Sequence, residues 1–164
     1  MSYDKFTYFY GPNDFFSQWN QKHNFVIKDM TFHCTEQWMM FGKATLFEDY
    51  ETADLILDAG HPKQCKELGR KVRGFRESIW NEHARNIVYF GNLYKFQQNE
   101  EYLVSLYETK GTLLVEASPY DRVWGVGLSQ DDPRILDRAN WLGTNWLGEV
   151  LTKLRDDIFS FSPE

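Results

Sequence analysis

The sequence is poor in the residues that build metal sites and covalent staples. It holds two cysteines, Cys34 and Cys65, in 164 residues. Two are too few for a disulfide framework, and their separation matches no metal-ligand spacing. The four histidines, His23, His33, His61 and His83, are scattered, with no pair spaced as in HExxH. A structural metal is therefore not expected. No stretch approaches the roughly 18 apolar residues of a membrane span. The N-terminal MSYDKFTYFYG carries Asp4 and lacks the apolar run of a signal peptide. A reducing cytoplasm is the compartment these features predict. Proline is scarce, at five residues, and there is no linker, repeat or low-complexity tract. One domain spanning residues 1–164, present as a monomer, is the expected organisation.

Basic residues are also in deficit, with 18 Lys and Arg against 24 Asp and Glu for a net charge of −6. Phosphate contacts along a nucleic acid need clustered cations, so a long polyanion is a poor partner for this chain. One local patch runs against the trend, from Lys63 through Lys66, Arg70, Lys71, Arg73 and Arg76 to Arg85. It suits a small phosphorylated molecule, although a solvated helix face has the same composition.

Aromatic residues are abundant, at 17%, with six Trp and nine Tyr. Rings fill cores, and they also wall sites for flat heterocycles. Lys5–Tyr10 reads as an extended piece ended by Gly11-Pro12. Phe25–Lys28 and Thr31–Cys34 read as a hairpin turning at Asp29-Met30. Thr35 is placed to cap a helix over Glu36–Phe47. Glu51–Ala59 and Pro62–Val72 follow as short helices. Arg76–Phe90 is the longest predicted helix, with Gly91 as its stop. Glu100–Tyr107 is a further helix, Thr112–Glu116 a buried strand, and Asn145–Phe159 a final helix. Alternating βαβ units are absent, which argues against a doubly wound nucleotide fold. The predicted class is mainly α with a small β-sheet, an α+β fold.

Three segments carry candidate chemistry. In Thr35-Glu36-Gln37-Trp38-Met39-Met40-Phe41-Gly42-Lys43-Ala44, Glu36 and Lys43 are seven residues apart, and a helix puts both on one face with Met40 between. An acid and an amine among apolar neighbours shift each other's pKa. The same spacing is that of an amphipathic helix whose charges meet solvent. In Leu114–Gly127, a strand runs into a loop with Asp121, Arg122, Trp124, Gly125 and Gly127. Trp124 is placed to stack on a base, and Asp121 to activate water or orient a hydroxyl. A Gly-rich turn around a packed Trp reads identically. In Gly143-Thr144-Asn145-Trp146-Leu147-Gly148, the start of the last helix offers free N–H groups to an anion, with Asn145 as ligand or as cap. Trp80 with His83 and Arg85 lies on the long helix, where a Trp serves core or platform. Ser17 sits in the aromatic turn Phe15-Phe16-Ser17-Gln18-Trp19.

Taken in order, these segments resemble the NADAR family, also called YbiA-like. The matching elements are Phe16-Ser17-Gln18-Trp19, Glu36-Gln37-Trp38-Met39-Met40 with Lys43-Ala44, Gly69-Arg70-Lys71-Val72, Trp80 and Arg85, Lys95 to Asn99, Leu114 to Gly127, and Gly143, Asn145, Leu147-Gly148, Leu151 and Arg155. They cover nearly the whole chain. The departures are Gln18, where the family usually has Asn, and Lys110, inserted before Gly111. The resemblance implies a compact, mainly helical fold and N-glycosidase activity. One branch of the family removes ribose 5-phosphate from phosphoribosylaminopyrimidines, and another removes ADP-ribose from modified guanine. Glu36, Trp80, Asp121 and Trp124 match the family's active-site positions, and Lys43 matches a further one.

The expected mechanism needs no metal and no organic cofactor. Either Glu36 or Asp121 stabilises positive charge at C1′ while the other moves a proton or activates water. Trp80 and Trp124 wall the base. Arg70, Arg85, Arg122 or the start of the last helix holds the phosphate, with Ser17 and Asn145 as further binding residues. Lys43 allows a second route, in which its amine displaces the base through a Schiff base. The partner is then a small phosphoribosyl or ADP-ribosyl compound, with nucleic acid involved only if modified guanine is the substrate. A non-catalytic ADP-ribose-binding module is the competing reading.

Overall fold

Backbone dihedrals divide the described residues between short strands and six α-helices. The computed structural model describes residues 3–163. Its elements are β1 (Phe6–Phe9), β2 (Phe25–Ile27), β3 (Met30–Phe32), α1 (Thr35–Leu46), α2 (Tyr50–Asp58), α3 (Pro62–Gly69), α4 (Glu77–Gln98), α5 (Glu100–Glu108), β4 (Leu113–Glu116) and α6 (Trp146–Phe159). Two 3₁₀ turns, Pro133–Leu136 and Arg138–Asn140, precede α6. The class is the predicted α+β, with the strands divided between two two-stranded sheets. The chain forms two units, residues 18–99 and residues up to 17 together with those from 100 onward.

In the 18–99 unit, β2 and β3 form an antiparallel hairpin with Phe25 opposite Phe32 and Ile27 opposite Met30. The turn is Lys28-Asp29, one residue earlier than predicted. Both residues have positive φ, 51° and 66°. Two left-handed residues in succession match the twist of a tight hairpin, and Asp tolerates that region. Phe25, Ile27 and Phe32 form an apolar core against Met30, Trp38, Phe41 and Leu57.

Thr35 lies inside α1, and the capping position falls on Cys34, whose side chain makes no cap hydrogen bond. The Glu36 N–H instead donates to the Gln18 carbonyl at 2.9 Å, and the Thr35 hydroxyl donates to the same carbonyl at 3.4 Å. A distant backbone oxygen thus satisfies the helix start in place of a local cap.

Helix α4 runs to Gln98 and passes straight through the predicted stop at Gly91. That glycine is a packing device. A Cβ there would lie 2.2 Å from Trp38 Cδ1, and the Trp38 indole N–H donates to the Ile87 carbonyl at 2.8 Å. Helix α3 stops at Gly69, short of the predicted Val72.

In the other unit, β1 pairs parallel to β4 with Phe6 beside Leu113 and Phe9 beside Glu116. The core there is Tyr3, Leu113, Val115, Ala117, Val126, Leu128 and Ile135, with Phe6, Tyr8 and Trp141 against it. The second edge of β4 meets α6. The Leu114 N–H donates to Thr152 Oγ1 at 2.9 Å. The Glu116 N–H donates to Asn145 Oδ1 at 3.0 Å, and Asn145 Nδ2 donates to the Leu114 carbonyl at 3.0 Å. Side chains of a helix therefore stand in for a third strand. Gly148 allows the approach, since a Cβ there would sit 2.0 Å from the Leu114 oxygen.

Candidate active site

The structure gathers four of the predicted site residues in the 18–99 unit. Glu36 occupies the first turn of α1 and is 4% exposed. Lys43 lies seven residues on, half-buried. Its ammonium is 4.5 Å from the centre of the Phe75 ring and 5.9 Å from that of Trp80. Trp80 comes from the first turn of α4, and Arg70 from the end of α3. Burial lowers the Lys43 pKa, the nearby Glu36 carboxylate opposes that shift, and the Arg70 guanidinium adds to it. An amine among two aromatic rings is partly stripped of water, which favours its neutral and nucleophilic form. The acid and the amine expected from helical spacing act on each other electrostatically, and the amine is half-buried rather than fully solvated. Phe75 was missed by sequence reasoning. It follows Gly74 in a short loop where no periodicity marks it.

Burial favours the neutral form of the two thiols of this unit. Cys34 and Cys65 are buried. Burial pushes the Cys34 thiol up to about 12, opposed by a hydrogen bond from the Gln37 backbone and then by Lys95, and helped by Cys65 and Glu36. Burial and then Glu36 push Cys65 up to about 12 as well. Arg85 lies on the solvent side of α4.

The second set of predicted residues lies in the other unit, on the loop after β4. Asp121 Oδ1 accepts the N–H groups of Val123 at 2.9 Å and Trp124 at 2.8 Å. One carboxylate oxygen is thus spent on folding the loop. Trp124 is half-buried and meets Trp146 edge-on at 5.5 Å. The Arg122 side chain is exposed, while its carbonyl accepts the Thr144 N–H at 3.0 Å. Ser17 is buried, and its N–H donates to the Asp14 carbonyl at 3.1 Å.

The start of α6 is not an open anion site. Its first two N–H groups, from Trp146 and Leu147, donate to the carbonyls of Val123 and Trp124 at 3.0 and 3.1 Å. Two of the donors that phosphate would need therefore already hold the loop. Asn145 is fully buried, and its amide is committed to β4. It neither caps α6 with its side chain nor presents that side chain to a ligand.

Among the described residues, no three His, Cys, Asp or Glu side chains gather as a metal site would require. Two clefts of the second unit, of about 500 Å³ and 380 Å³, contain none of the predicted site residues. No helix among the described residues is long and apolar enough to cross a membrane.

Comparison with known proteins bears on the family and the fold. A family model described as the NADAR domain matches residues 8–159. The chain is 42% identical over 135 residues to Protein irg-1 of Caenorhabditis elegans, a match covering 81% of this chain and 64% of that protein. It is 37% identical over 167 residues to N-glycosidase R617 of Acanthamoeba polyphaga mimivirus, covering 96% of this chain and 98% of that one. It is 26% identical over 140 residues to the Zea mays protein named Riboflavin biosynthesis protein PYRR, chloroplastic, covering 81% of this chain and 21% of that protein. The fold resembles the NMR structure of the E. coli protein YbiA, with a TM-score of 0.77 at 22% identity, covering 98% of this chain and 88% of that one.

Proposed function

This chain belongs to the NADAR family of N-glycosidases, and we propose that it cuts the bond between C1′ of a 5-phosphorylated ribose and the nitrogen of an aminopyrimidine, releasing ribose 5-phosphate. The observation that carries the reading is the Lys43 amine, half-buried beside Phe75 and Trp80 with Glu36 on the same helix face. The name of the maize relative supports an intermediate of riboflavin formation as the substrate. The net charge of −6 disfavours the other branch, modified guanine within a nucleic acid.

The chemistry follows from the ribosylamine itself. Its ring opens when the C1′–O4′ bond breaks and the oxygen takes a proton, leaving an imine at C1′. The neutral Lys43 amine adds to C1′, and the Glu36 carboxylate takes up the proton that the new C–N bond releases from the amine. The bond from C1′ to the pyrimidine nitrogen then breaks, and that nitrogen leaves as an amine with a proton delivered by Glu36. Water hydrolyses the resulting lysine Schiff base to free the sugar and restore the amine. Trp80 supplies an aromatic wall for the base, and Arg70 faces the phosphate.

The test incubates the protein with a phosphoribosylaminopyrimidine and, separately, with an ADP-ribosylated guanine oligonucleotide. Ribose 5-phosphate is the expected product from the first. Borohydride added during turnover traps a sugar adduct on the Lys43 peptide, and Glu36→Gln slows release by about 100-fold or more. Full activity in Lys43→Ala would exclude the Schiff-base route. Cleavage of the guanine substrate alone would overturn the substrate assignment.

A further inference from the structure

We infer that Asp49 is a positioning residue for this site: by gripping Arg73 it fixes the loop after α3 so that Phe75 lies against the Lys43 amine. The catalytic consequence rests on the function proposed above, whereas the geometry does not.

Asp49 sits where three segments of the 18–99 unit meet. Its own N–H closes the end of α1 by donating to the Ala44 carbonyl at 2.9 Å. Its carboxylate caps α2, accepting the Thr52 N–H at 3.1 Å and the Thr52 hydroxyl at 2.6 Å. The same carboxylate accepts the Arg73 N–H at 2.9 Å and the Arg73 guanidinium at 2.8 Å. These four donors, one a guanidinium, hold its pKa well below the ordinary carboxylate value, with Arg73 the largest cause. Helix capping accounts for two of the four bonds. The other two reach a loop that capping does not need.

The grip on Arg73 is through the main chain as well as the side chain, so it fixes the path of the backbone. Gly74 follows at φ 75°, a left-handed turn that favours glycine. The next residue is Phe75. It is 41% exposed, meets Phe47 edge-on at 5.4 Å and stands 4.5 Å from the Lys43 nitrogen. A phenylalanine 41% exposed is held only in part by burial, so its place depends also on how the backbone beneath it is held. The Asp49 side chain is 1% exposed and the Arg73 side chain 68%. The anchoring end of the pair is therefore the fixed one. The additional contact of Arg73 with Glu51, at 3.2 Å between exposed groups, contributes little.

The arrangement predicts what loosening the loop does. Phe75 swings off, water reaches Lys43, and the charged groups facing the amine are then Glu36 on α1 and Arg70 at the end of α3. Asp49→Asn separates this role from capping, since asparagine caps helices as well as aspartate but carries no charge to hold the guanidinium. Arg73→Gln removes the guanidinium half of the grip from its exposed side and leaves the main-chain N–H bond to Asp49 in place. Arg73→Lys keeps the charge and serves as rescue.

The test is competitive acetylation of the intact protein with acetic anhydride over a range of pH, read for each lysine by peptide mass spectrometry. The exposed Lys63 serves as reference. In Asp49→Asn and Arg73→Gln, the limiting acetylation rate of Lys43 relative to Lys63 rises several-fold and its apparent pKa moves up toward the ordinary lysine value. Arg73→Lys stays near wild type. In the glycosidase assay, kcat falls more than KM changes. Lys43 labelling identical to wild type in both folded variants would overturn the inference. If Asp49→Asn does not fold, Arg73→Gln carries the test. A labelling response in a protein whose wild type cleaves no glycoside would defeat the proposed function and leave the positioning role intact. Turnover with no labelling response would defeat the positioning role alone.

Discussion

A single amide closes the open edge of β4. Asn145 gives its Oδ1 to the Glu116 N–H and its Nδ2 to the Leu114 carbonyl, at a φ of 54°. Replacing it with alanine strands a buried donor and a buried acceptor at about 1–3 kcal/mol each. It also removes the short polar side chain that makes the left-handed region tolerable for asparagine, adding part of the about 1–2 kcal/mol that this region costs other side chains. Asn145→Ala should therefore be destabilised by at least about 2 kcal/mol in urea unfolding. A loss under about 0.5 kcal/mol, the size of an ordinary surface change, would contradict this account. The residue was singled out in the sequence for the wrong reason, because capping and anion binding favour the same amide. The nearness of Glu36 and Lys43 was legible, since a seven-residue separation on a helix dictates a shared face. Phe75 was not legible. Its partner Lys43 is 32 positions away in sequence, and nothing local announces the contact.

Helix α4 shows how an element's length is decided. Glycine weakens an isolated helix by about 1 kcal/mol relative to alanine, so Gly91 reads locally as a stop. In the fold it is the place where Trp38 enters, and the helix continues to Gln98. The two effects oppose each other in Gly91→Ala. Alanine gains about 1 kcal/mol of helix propensity. The new methyl meets the indole at 2.2 Å, and overpacking a tight contact costs about 1–3 kcal/mol. The expected net is a lower Tm by thermal denaturation, with the Trp38 fluorescence altered. An unchanged or raised Tm would show that α1 and α4 separate at no cost. The hairpin gives the same lesson on a smaller scale. Its strands were legible from alternation, while its turn moved by one residue because only Lys28 and Asp29 together supply two positive φ values.

At the scale of the whole molecule, acidic residues outnumber basic ones, yet at least two carboxylates are bound tightly. Arg73 and then Thr52 depress the pKa of Asp49, and Arg134 depresses that of Asp132. A carboxylate whose folded pKa lies below its unfolded value contributes stability above the ordinary value near 3.8 and loses it as pH falls through the folded one. Stability should therefore be held near neutral pH and decline once pH drops below about 4. Asp49→Asn should flatten that decline in pH-dependent urea unfolding, and an unaltered acid limb would deny Asp49 its share. The sequence by itself determined the class of fold, the absence of a disulfide framework, the order of the helices and the shared face of Glu36 and Lys43. Those follow from periodicity, composition and chain breakers, which act over a few residues. The tertiary structure alone decided that Lys43 is half-buried beside Phe75, that Asp49 bonds the loop carrying that ring, that Asn145 completes a sheet edge, and that α4 runs through its glycine. Each of these depends on which distant atoms come within a few ångströms, and contact at that range is a property of the folded chain rather than of any segment of it.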